Sequence, residues 1–113
     1  MFTRQAIIKA VNEFVSSAHE NNLSIERILL FGSYAKGTPH KYSDIDLAVF
    51  SPQFTENPFE NIKAIQSTKR LPQMQLHLYP SKEFDEGFFV QEIKKHAIDL
   101  TSQINKLFSE KAL

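Results

Sequence analysis

With 113 residues, 42% of them hydrophobic, the chain is expected to form one domain, 1–113, around a single core. It has no cysteine and no long apolar run near its start, so a disulfide framework and a membrane segment are not expected and a cytoplasmic setting is the default. Thirteen basic residues balance thirteen acidic ones, which argues against tracking extended nucleic acid and favours a small or locally bound substrate.

Thr3 is placed to cap a first helix, where Ile7, Val11, Phe14, Val15 and Ala18 recur at the spacing of one helical face and Asn21 and Asn22 end it. Ile25 to Phe31 is rich in β-branched and aromatic residues and stops at Gly32, as a strand entering a turn does. Gly32 to Ser43 has the composition of a loop with room for one helical turn. Asp44 to Phe50 then alternates, setting Ile45, Leu47 and Val49 on one side of a strand and Asp44, Asp46 and Ala48 on the other.

Asn57 and Glu60 have capping-box spacing around Pro58, predicting a helix to about Arg70, closed by Pro72, with Phe59, Ile62 and Ile65 as its buried stripe. Met74 to Tyr79 is the third strand, with Met74, Leu76 and Leu78 on one face and Gln75, His77 and Tyr79 on the other. Pro80 to Gly87 reads as a turn. Phe88 to Ala97 reads as a helix with Phe89, Ile93 and Ala97 inward, and Ile98 to Leu100 as a short edge strand. Residues 101–113 are expected to be a helical tail whose Ile104, Leu107 and Phe108 pack on the core or on a second chain, so a homodimer is compatible with the sequence.

The chemistry concentrates between Gly32 and Asp46. Gly32 lets backbone approach a ligand closely, Ser33 brings a hydroxyl, and amides in a tight turn form an anion-binding nest suited to a triphosphate. Asp44 and Asp46 supply hard oxygen ligands of the kind Mg²⁺ takes together with substrate phosphates. Either piece alone is commonplace; their union in one strand–turn–strand run is not. The run lacks the Gly-Lys-Ser/Thr ending of a P-loop. Lys36, His40 and Lys41 lie in the same loop, either adding positive charge near phosphates or simply solvated.

Gly32-Ser33, Ala35 and Gly37, ten residues between Ser33 and Asp44, and then Ser43-Asp44-Ile45-Asp46-Leu47 resemble the signature of the polymerase beta-like nucleotidyltransferases. The resemblance extends from the first helix to about Leu100 and is closest to the minimal members. It implies an α/β (α+β) fold, a mixed β-sheet with helices packed on it. It also implies nucleotide binding by Gly32 and Ser33 and catalysis by Asp44 and Asp46 with two Mg²⁺ ions bound alongside the substrate; Lys36 and Gly37 of the same loop are the further nucleotide-binding candidates. The implied reaction is transfer of AMP from ATP to a hydroxyl. Minimal members often serve as antitoxins to HEPN-type toxins, some modifying a tyrosine there.

One position departs from the family pattern. The third catalytic carboxylate is expected on the Met74 to Tyr79 strand, two residues before a histidine, and there Gln75 precedes His77. An amide carries no charge for a divalent ion and cannot act as a base. Three arrangements remain open. Gln75 serves in an active enzyme; or Glu83, Asp85, Glu86 or a partner's acid fills the gap; or the chain is a weak or inactive nucleotide-binding module that works by binding a partner. His77 is read as a hydrogen-bonded polar residue beside the site.

Overall fold

The computed structural model describes residues 1–104. The first helix, α1 (Arg4–Glu20), starts as expected: Thr3 Oγ1 accepts the Ala6 amide, satisfying a donor that a helix start leaves unpaired. Ile7, Ala10, Val11, Phe14, Val15 and Ala18 form its buried stripe. Asn21 caps the end, and Asn22 follows with φ 62°, a left-handed turn that asparagine tolerates.

Strands β1 (Arg27–Phe31), β2 (Ile45–Ser51), β3 (Met74–Pro80) and β4 (Ile98–Asp99) form a four-stranded sheet in the order β3-β2-β1-β4. β1 is antiparallel to β2 and β4, while β2 and β3 are parallel, so the sheet is mixed as the resemblance implies. The β2–β3 crossover carries a helix, α3 (Pro58–Ile65), because parallel neighbours cannot be joined by a tight hairpin.

Alternation divides the sheet into two packed faces. On one, Ile28, Leu30, Ile45, Leu47, Val49 and Met74 join the α1 stripe and Ile65 in the larger core. On the other, Leu29, Ala48 and Phe50 pack with Val90 and Ile93 of helix α5 (Phe88–Lys94). Between β3 and α5, the short helix α4 (Glu83–Glu86) sets Phe84 edge-on to Phe50, with ring centroids 5.4 Å apart. Cations cover the Phe84 ring: the Arg27 guanidinium lies 4.0 Å and Lys94 Nζ 3.7 Å from its centroid.

Two helices differ from expectation. α3 ends at Ile65, well before Arg70 and Pro72, because Thr68 Oγ1 and Arg70 Nη1 both donate to the Ile65 carbonyl, at 2.6 and 2.9 Å. Its inward residues are Asn61 and Ile65, whereas Phe59 and Ile62 are 76% and 58% exposed. Asn61 turns inward to pair both backbone groups of Thr55, accepting from its N–H at 2.8 Å and donating to its carbonyl at 2.7 Å. Asn57 caps the Phe59 amide, but Glu60 accepts from Thr55 Oγ1, so the reciprocal capping box does not form. In α5, Ile93 points inward as expected and Ala97 beyond it packs on the same cluster, but Val90 is buried there and Phe89, expected inward, is 58% exposed.

Residues 101–104 continue as helix, and Ile104 is buried in the larger core. Leu107, Phe108 and the rest of the expected tail lie outside the described residues. Among the described residues, no helix is long and apolar enough to cross a membrane.

Candidate functional site

At the end of β1, Gly32 adopts φ 75° and ψ −155°, backbone space that only glycine enters without strain. A Cβ there would collide with Asp46 Oδ2 and sit 3.2 Å from Asp46 Cγ, so the carboxylate occupies the room that a side chain would need. One helical turn follows, α2 (Ser33–Lys36), closed by Gly37 at φ 75° with its amide bonded to the Ser33 carbonyl. The first amides of so short a helix have no partner within it, which leaves donors beside Gly32.

Strand register sets what surrounds Asp46. Phe31 is its partner on β1 and Gln75 its partner on β3. Asp46 is half-buried, and Asp44, two residues earlier and just ahead of β2, is exposed. The turn leading into them is tied by Ser43, whose Oγ accepts the His40 amide at 2.9 Å and whose amide donates to the His40 carbonyl at 3.0 Å. His40 Nδ1 accepts the Tyr42 amide, and Lys41 Nζ lies 5.5 Å from the Tyr42 ring centroid. His40 and Lys41 are thus engaged inside their own turn, whereas Lys36 lines a cleft together with Gly32.

Gln75 therefore stands beside Asp46, exposed, on the neighbouring strand where the family pattern expects an acid. Glu83, Asp85 and Glu86 do not fill the gap. They belong to α4, which follows the opposite end of β3, five residues or about 17 Å along the strand from Gln75. His77 instead reaches the site: Nε2 lies 3.5 Å from Asp46 Oδ1, and its ring meets Phe31 edge-on at 4.9 Å. That nitrogen is buried and has no hydrogen-bond partner, so the hydrogen bond expected of His77 is not made. Nothing in the local sequence marks this contact; it follows from the β2–β3 register.

Among the described residues, no group of three or more histidine, cysteine or acidic side chains is arranged to hold a metal ion; the two expected carboxylates are Asp46 on β2 and Asp44 just ahead of it. Their chemistry fits Mg²⁺, which retains waters and takes one or two protein carboxylates plus substrate phosphates rather than a closed protein cage. The space kept open at Gly32 lies against one of the two.

A model of the nucleotidyltransferase domain matches residues 8–100. Protein adenylyltransferase MntA of Shewanella oneidensis is 39% identical over 46 residues, 41% of this chain and 33% of MntA, so the similarity spans about a third of that protein. A Sulfolobus solfataricus crystal structure, given as a candidate nucleotidyltransferase, shares the fold at TM-score 0.61 and 21% identity, covering 81% of this chain and 77% of that one. A looser likeness, with TM-score 0.48 and 26% identity over 88% of this chain and 81% of the other, is to a toxin–antitoxin crystal structure with AMP-PNP; it bears no weight on function.

Proposed function

The chain belongs to the nucleotidyltransferase domain family, and from that premise we propose that it binds ATP with Mg²⁺ at Gly32, Ser33, Asp44 and Asp46 and transfers AMP to a hydroxyl of a partner protein. The observation that carries this reading is the fit of Asp46 against the bare Cα of Gly32, which supports a cation ligand beside a phosphate-binding turn. The similarity to a protein adenylyltransferase supports AMP as the transferred group and a protein as acceptor. The family resemblance points to a HEPN-type toxin as that acceptor, with this chain as its antitoxin in the cytoplasm.

Asp44 and Asp46 would hold the ions, two when substrate is bound. Mg²⁺, when bound, neutralises phosphate charge and polarises the phosphoryl oxygens. Gly32 and the amides after it receive the terminal phosphates, with Lys36 adding a positive charge and Gly37 closing the turn. The acceptor hydroxyl oxygen attacks the α-phosphorus, its proton passes to solvent, the bond from that phosphorus to the oxygen shared with the β-phosphorus breaks, and pyrophosphate leaves with that oxygen. Gln75, in register with Asp46, would hydrogen-bond the acceptor but cannot take its proton. Incubation with labelled ATP, Mg²⁺ and the product of the neighbouring gene is expected to label that partner. Absence of transfer, with no loss on Asp44→Asn, would defeat the reading.

A second reading is favoured by Gln75 in register with Asp46: nucleotide binding without turnover, in a module that acts by holding a partner. It expects ATP affinity that depends on Asp44 but no label on any acceptor.

A further inference from the structure

We propose that the nucleoside half of the nucleotide lies in the cleft between α2 and α5, with its base stacked on Phe89. The inference rests on the triphosphate reading above and adds the direction in which the nucleotide runs.

The direction follows from the two faces of the sheet. Phe31 and Asp46 are register partners, and Ala48 and His77 lie on the same side two residues farther along. Ala48 is packed under Val90 and Ile93, so the Asp46 carboxylate is on the α5 side. A phosphate chain bound at Asp46 and Gly32 therefore starts on that side.

A cleft of about 220 Å³ opens there, with Gly32 and Lys36 at its α2 wall and Phe89, Glu92 and His96 opposite. The larger cavity near α2, about 450 Å³, touches Gly37 but is lined by Ile7, Leu30 and Leu100, which belong to the α1 core on the other face. Another groove, about 620 Å³, runs along α1 past Asn12 and Ser16 and includes none of the site residues. Of these three, lined by described residues, the α2–α5 cleft combines the turn, the face of Asp46 and an aromatic.

Phe89 has the character a base needs. It is 58% exposed on a helix whose neighbouring Val90 is fully buried, so its ring is available and is not required by the core. Aromatic side chains stack on any base, and Glu92 and His96 provide polar groups for its edge. Lys36 stands at the phosphate end, while Glu92 on the far wall is paired with Lys95 at 3.0 Å.

The test is calorimetry of the full chain with MgATP and with magnesium tripolyphosphate, which has the phosphates and no nucleoside. Phe89→Ala is expected to weaken ATP about tenfold and to leave tripolyphosphate unchanged, while Phe89→Tyr retains ATP affinity and Phe88→Ala alters neither ligand. Unchanged ATP affinity in Phe89→Ala, or equal weakening of both ligands, would overturn the inference while leaving the triphosphate reading intact. Failure of the unmodified chain to bind either ligand would remove that reading, and the inference with it.

Discussion

Gly32 and Asp46 are fitted to each other: the carboxylate of one lies where the other would carry a side chain. Gly32→Ala is doubly unfavourable, since it places a Cβ at positive φ and drives it into Asp46 Oδ2. A stability loss of about 1–3 kcal/mol in denaturant unfolding is expected from the backbone alone. ATP affinity should fall as well. Gly37→Ala meets the same φ but no atom within 4 Å of the added Cβ, so it should lose stability with a smaller effect on binding.

His77 is expected to position Asp46. Its Nε2 is 3.5 Å from Oδ1, within ion-pair range but not hydrogen-bonded, and has no other partner. His77→Phe keeps a ring against Phe31 and removes the nitrogen facing Asp46. Loss of a partner that orients a metal ligand costs about tenfold or more in metal affinity. Titration with Mn²⁺ in the presence of ATP should show that loss, and His77→Gln should recover part of it. Equal affinity in all three proteins would assign His77 to packing alone.

Gln75→Glu tests whether the third ligand is what limits the chemistry. A carboxylate at this position would put a second acid in register with Asp46 on the adjacent strand, with Asp44 just ahead of β2. Transfer of labelled AMP to the partner should rise by an order of magnitude or more. No gain would mean that the acceptor, or the protein carrying it, already supplies what Gln75 lacks.

Asn61 separates the observed α3 from the helix expected there. Asn61→Ala removes two hydrogen bonds from the Thr55 backbone and should destabilise the fold by about 1–3 kcal/mol. Ile62→Ala, at a position 58% exposed, should stay within about 0.5 kcal/mol. Thermal or urea unfolding of the two variants distinguishes this arrangement from the one with Ile62 inward.

Where local spacing decides structure, the sequence was readable. Thr3 capping α1, the glycine turn after β1 and the alternation of Ile45, Leu47 and Val49 each depend on near neighbours alone. The errors arise where a tertiary partner overrides periodicity. Asn61 displaces Ile62 because the Thr55 backbone needs both of its hydrogen bonds, and Phe89 faces out because Val90 fills the space over Ala48 and Phe50. At the site, the Asp46–Gln75 adjacency was legible from alternation plus the family pattern. The His77–Asp46 contact and the α2–α5 cleft were not, since both depend on strand register and on which face α5 covers.

The claim on which the rest depends is that the Gly32–Asp46 unit binds a triphosphate through a divalent cation. Calorimetry with ATP measures it directly, with and without Mg²⁺, on the unmodified chain and on Asp46→Asn. Binding that requires Mg²⁺ and falls at least tenfold in Asp46→Asn is the expected result. ATP binding that is indifferent to both, or no binding by the unmodified chain, would contradict it.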